Sequence, residues 1–105
     1  MQRTYAIAIL TAALVSSATA QTIGDPAAGK RLAAAWCSEC HAITGDSAGA
    51  TLRGPSFLAI AKRPKTTPLS LNVFLRSSHD TMPNLILKRD EADDIVAYIV
   101  SLKGD

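Results

Sequence analysis

Two cysteines and a histidine stand together at Cys37, Cys40 and His41, and with Ser38 and Glu39 between them they spell C-x-x-C-H. Two thiols three positions apart on a helical turn can reach two vinyl groups on one edge of a porphyrin. Each can add across a vinyl to leave a thioether. The imidazole that follows is carried beneath the ring, where one of its nitrogens can bind iron. The pattern is the attachment signature of a c-type haem. Three other chemistries use parts of it. A thioredoxin-like redox pair needs a βαβ setting, and no stretch of this chain alternates like a strand. A zinc site needs four ligands, and residues 21–105 hold only two Cys and two His in all. An exported chain can close a lone cysteine pair into a disulfide. The histidine next to Cys40, the capped helix ahead of the motif and the low aromatic content favour haem.

An iron held by one imidazole has a second axial position to fill. Met82 is the sole methionine beyond residue 20. It sits in a non-helical stretch, and Pro83 after it restricts its backbone to extended conformations, which can hold a soft thioether rigidly. A Met/His pair raises the haem potential. His79, between Ser78 and Asp80 in a polar stretch, is the other candidate and reads more simply as an exposed loop histidine.

Residues 1–20 have the layout of a secretory signal peptide to be removed before Gln21. Arg3 is basic, Tyr5 to Val15 is an almost unbroken apolar run of eleven residues, and Ala18-Thr19-Ala20 is a small-x-small cleavage site. The run is too short for an ordinary membrane span, so no stable membrane insertion is expected. The export signal implies a periplasmic address. Residues 21–105 then form one 85-residue domain. The eleven Lys and Arg less Arg3 leave ten, against nine Asp and Glu, a formal charge of +1. That balance argues against nucleic acid. A domain this small with so few aromatics is commonly stabilised by a metal, a disulfide or a cofactor, so the haem-free chain is expected to be largely unfolded or molten.

The positioning elements read as all-α. Asp25-Pro26 caps an alanine-rich helix to Trp36 that runs into the motif. Residues 42–54, with glycines at 45, 49 and 54, read as a surface loop. Residues 55–63 look like a short helix stopped by Pro64, with Phe57, Ile60 and Ala61 inward. Thr67-Pro68 starts a further helix to about Arg76, with Leu71, Phe74 and Leu75 on one face. The most periodic stretch, 90–102, carries Ala92, Ile95, Val96, Ile99 and Leu102 as its apolar stripe. Acidic residues lead it, Lys103 follows it and Gly104 stops it.

Trp36-Cys37-Ser38-Glu39-Cys40-His41, Gly54-Pro55-Ser56-Phe57, Met82-Pro83-Asn84 and Asp94-Ile95-Val96-Ala97-Tyr98-Ile99, in that order, resemble a small bacterial class I cytochrome c. The resemblance covers nearly all of 21–105. It implies a fold of three to four short helices around one covalently bound haem c, with the first and last helices crossing. It implies thioethers at Cys37 and Cys40 and axial ligation by His41 and Met82. It also implies a Pro55 carbonyl that orients His41, Gly29 at the helix crossing, and Tyr98 and Ile99 facing it and the haem. Two positions depart from the pattern. Ala33 stands where an aromatic is common, which implies a closer or less filled crossing. Lys88 stands where a capping Ser or Thr is usual.

The function expected is a soluble, monomeric, periplasmic one-electron carrier, shuttling electrons between a dehydrogenase or other donor and a terminal acceptor. It is not an enzyme, because Met82 closes the iron position that turnover would need. Two alternatives remain at this level: a gas-binding or sensing haem protein with a labile sixth ligand, and a haem subunit of a larger redox complex. Low net charge implies brief docking of redox partner proteins over a small apolar rim. Lys62, Arg63 and Lys65 form the basic cluster, as a guide for an acidic partner or as a solvated loop. Trp36 is placed either to pack on the haem or to cover the first helix.

Overall fold

A computed structural model describes residues 12–15, 23–45, 52–77 and 81–104. Four helices make up the regular structure of the described residues: α1 (Pro26–Trp36), α2 (Phe57–Lys62), α3 (Pro68–Arg76) and α4 (Arg89–Ser101). Among the described residues there is no strand, in keeping with the all-α expectation. The expected leader falls outside the described residues except for 12–15, which form no regular structure and are exposed. Residues 46–51 of the loop and His79 also lie outside them.

α1 starts where its sequence calls for it. Asp25 is extended, and its carboxylate accepts from Ala27 N at 3.0 Å, while Pro26 takes the first helical position, where no N–H is needed. α3 begins in the same way, with Thr67 and Ser70 exchanging side chain-to-backbone hydrogen bonds of 3.0 and 2.9 Å. α2 is shorter than the expected 55–63. Ser56 caps it by accepting from Ala59 N, and Arg63 is pushed to extended geometry by Pro64. At α4 the Glu91 carboxylate accepts from Lys88 N at 2.8 Å, while Lys88, with no acceptor on its side chain, provides no return bond.

α1 and α4 form the frame, and α2 and α3 pack against α4. The crossing is close because its contact residues are small. A Cβ on Gly29 would overlap the Asp94 carbonyl and come within 2.9 Å of the Tyr98 Cβ. Ala33, one turn on, is fully buried. Asp94 also accepts from Asp25 N at 2.8 Å through its side chain, tying the start of α1 to α4. The core joins Ile95, Val96, Tyr98 and Ile99 of α4 and Ala33 and Cys37 at the end of α1 to Phe57, Ala61 and Leu71 from the two short helices, and Leu102 of the stripe read from 90–102 is half-buried at its margin. Ile95 and Val96 are its largest fully buried side chains, and burial of such a residue stabilises by about 1.5–3 kcal/mol.

Candidate haem site

The C-x-x-C-H segment leaves α1 as a tight turn. Cys37 N and Ser38 N donate to Ala33 O at 2.8 and 3.0 Å, and His41 N donates to Cys37 O at 2.9 Å. This prolongs the helical path by one turn and brings Cys37, Cys40 and His41 to one side. No disulfide joins the two cysteines, Cys37 being buried and Cys40 half-buried. Burial pushes the Cys37 thiol pKa up, because a low-dielectric surrounding disfavours the thiolate.

His41 is fixed from three directions. Gly54 N donates to Cys40 O at 2.8 Å and Phe57 N donates to Ala42 O at 2.9 Å, so residues 54–57 are fastened on both sides of the histidine. That fastening sets the Pro55 carbonyl 2.6 Å from His41 Nδ1. A carbonyl only accepts, so Nδ1 carries the proton and the lone pair is left on Nε2, the nitrogen available to a metal. The Phe57 ring lies 5.3 Å from the imidazole, centroid to centroid, and 6.4 Å from Tyr98. Tyr98 in turn donates to Ile43 O at 2.5 Å, pinning the chain just past the motif to α4.

Gly54 is the contact that the residue pattern alone does not assign. A Cβ there would overlap His41 Cε1 and come within 2.7 Å of Nδ1 and 2.9 Å of Nε2. The backbone thus lies against the imidazole, and only glycine permits it. Gly54→Ala is expected to push the ring off the Pro55 carbonyl. Loss of such an orienting contact costs about 10–100-fold in ligand affinity. The readout is a high-spin absorption spectrum in a variant whose thioethers are intact; a parental spectrum would reduce Gly54 to a turn residue.

Cys37, Cys40, His41 and Met82 all line one cavity of about 690 Å³. Its apolar wall includes Phe57, Leu71, Ile95 and Ile99. Phe74, half-exposed on α3, also borders it, so the α3 face read as inward points partly into the cavity. A volume of this order lies within the roughly 300–1,000 Å³ of cofactor pockets. Two thiols, an imidazole with its lone pair directed by a carbonyl, and one thioether are the donor set a covalently held haem requires, and the site fits one. Among the described residues no three His, Cys, Asp or Glu cluster as they would around a zinc ion. Trp36 is half-exposed and borders a smaller hollow of about 90 Å³ with Cys40, Met82, Pro83 and Leu85, at the cysteine end of the site.

Comparison with known proteins accords with that geometry. The family model for cytochrome c matches residues 26–103. The chain belongs to the cytochrome c family. Cytochrome c-552 of Bradyrhizobium diazoefficiens is 39% identical to it over 94 residues, 90% of either chain. No solved structure gives a significant match. As a cytochrome c the chain carries covalent haem c, and it is an electron-transfer protein acting with redox partners and not an enzyme. Among the described residues no helix is long and apolar enough to cross a membrane.

Proposed function

We propose that this cytochrome c is a monomeric periplasmic one-electron carrier, working between a dehydrogenase or other donor and a terminal acceptor after removal of residues 1–20. In this reading Cys37 and Cys40 hold the haem by thioethers, and His41 and Met82 are its axial ligands. The observation that carries it is the convergence of these four side chains on one cavity, with His41 Nδ1 held by the Pro55 carbonyl at 2.6 Å. A bound haem would take up one electron from the donor and release it to the acceptor through its Fe(III)/Fe(II) couple.

The chain's own contribution is to hold and to exclude. Pro55 and Gly54 fix the imidazole plane, so His41 does not reorient when charge changes. Phe57, Ile95 and Ile99 keep water from one wall of the cavity, and a dry surround together with Met82 favours the reduced form. Trp36, half-exposed beside Cys40 and Met82, supplies apolar surface for brief contact with a partner.

The test is Met82→Ala in protein isolated from the periplasmic fraction, where a chain starting at Gln21 is expected by mass. The variant should keep its covalent haem, turn from low spin to predominantly high spin and show a lower reduction potential. A low-spin spectrum unchanged by the substitution would move the sixth ligand to His79. Rapid carbon monoxide binding by the unsubstituted reduced protein would favour a gas-binding role.

A further inference from the structure

The backbone around His41 is held at three carbonyls by three separate donors. Cys40 O accepts from Gly54 N at 2.8 Å, Ala42 O from Phe57 N at 2.9 Å, and Ile43 O from the Tyr98 hydroxyl at 2.5 Å. Two of the donor residues are also in ring contact. Phe57 and Tyr98 lie 6.4 Å apart, centroid to centroid, and Phe57 in turn meets the His41 imidazole at 5.3 Å. Both aromatic rings are buried, Phe57 being 4% exposed and Tyr98 6%.

Local structure puts Phe57 in that place. It is the first residue of α2, directly after the Ser56 cap, and the first N–H groups of a helix have no acceptor within it. The Phe57 N–H goes instead to Ala42 O, one residue past the histidine, and that bond brings the start of α2 to the imidazole. Behind Phe57 stands Tyr98 on α4, whose hydroxyl is committed to Ile43 O. The Phe57 ring is therefore backed by a second ring that is itself anchored to the ligand segment.

The Pro55 carbonyl alone does not fix the plane of the imidazole. The chain holds the ring at Cγ and the hydrogen bond holds it at Nδ1. These atoms are neighbours, so the ring can still tilt about the line that joins them. The Gly54 backbone, close to Cε1 and both nitrogens, limits that tilt. Phe57, inclined at 47° to the imidazole, is the aromatic ring in contact with it. We propose that Phe57, backed by Tyr98, is a positioning residue that sets the tilt of the His41 ring, and with it the plane in which Nε2 would meet iron. This rests on the reading that His41 is an axial ligand. A buried aromatic ring suits the task because it is large and stiff, and close-packed neighbours leave it little room to yield.

The experiment records the haem methyl proton resonances of the oxidised holoprotein by NMR, in the parent, F57A, F57L and V96A. In low-spin Fe(III) the unpaired spin on the macrocycle follows the planes of the axial ligands, so the order and spread of these resonances report the imidazole orientation. V96A removes part of a fully buried side chain outside the cavity lining and serves as the control for lost packing. F57A is expected to change the order or the spread of the methyl resonances, and V96A to leave both as in the parent. F57L keeps an apolar side chain without a flat face, so it should move them in the same direction by less, and it decides the matter if F57A does not fold. A parental pattern in the folded Phe57 variants overturns the proposal, as does a change in V96A as large as theirs. A parent protein lacking the shifted resonances of an iron-bound imidazole would instead sink the ligation reading beneath it.

Discussion

A chain carrying Cys37→Ala and Cys40→Ala together, isolated free of haem, is expected to have no cooperative melt. The argument is one of volume. The cavity bounded by α2, α3, α4 and the C-x-x-C-H turn measures about 690 Å³, and at ~24 cal/mol per Å³ a closed void of that size would cost on the order of 17 kcal/mol. The cavity opens to solvent, so the cost is smaller. Even half of it is comparable with the whole stability of a small domain, about 5–15 kcal/mol. The core that remains is the α1–α4 crossing with Phe57, Ala61 and Leu71, and the latter three sit on the two short helices that enclose the cavity. Far-ultraviolet circular dichroism should retain some helix, whereas near-ultraviolet bands and the calorimetric transition should be absent. A sharp transition with native near-ultraviolet bands would show that the helices fold without the cofactor.

The second large effect is expected at Gly29. A valine there would drive its side chain into the Asp94 carbonyl and against the Tyr98 Cβ, and the obstacle is α4 backbone, which no rotamer change can clear. α1 would have to move away from α4. Such a shift would loosen the Asp25 N to Asp94 bond and the packing around Ala33 together. Overpacking of this kind costs about 3 kcal/mol. In a domain of this size that lowers the melting temperature by about 12–24 °C. Because the crossing lies outside the cavity lining, the spectrum of the folded holoprotein should be unchanged. A melting temperature within a few degrees of the parent, read by calorimetry on the oxidised protein, would mean that the crossing adapts.

Much of the site was legible in order along the chain. C-x-x-C-H identifies its own chemistry because two thioethers and a ligand need adjacent residues. Caps and prolines mark the starts of α1 and α3 because those signals act within one turn. The ends of α2 were less legible. Ser56 serves as a cap and the Pro55 carbonyl is given to His41, so both leave the helix that periodicity alone extends through them. Gly54 was visible as a loop glycine and as the first residue of the Gly54-Pro55-Ser56-Phe57 stretch, with no contact assigned to it. Its closeness to the imidazole depends on two backbone hydrogen bonds that bring residues 54–57 alongside 40–42.

The basic cluster illustrates the same limit. In sequence, Lys62, Arg63 and Lys65 are neighbours of one kind and read as one docking patch or one solvated loop. The kink at Pro64 and the turn closed by Thr66 separate them: Arg63 and Lys65 border the cavity with the distant Arg53, while Lys62 does not. Residue type, short-range spacing and helix periodicity were enough to establish an all-α haem protein and to nominate Cys37, Cys40, His41 and Met82. The tertiary structure decided how they are surrounded: the backbone bonds that set the Pro55 carbonyl against His41, the glycine that admits its ring, and the cations that line the cavity. Each of those contacts is closed by backbone hydrogen bonds, turns and packing between separate segments, and no local pattern encodes a distance across the fold.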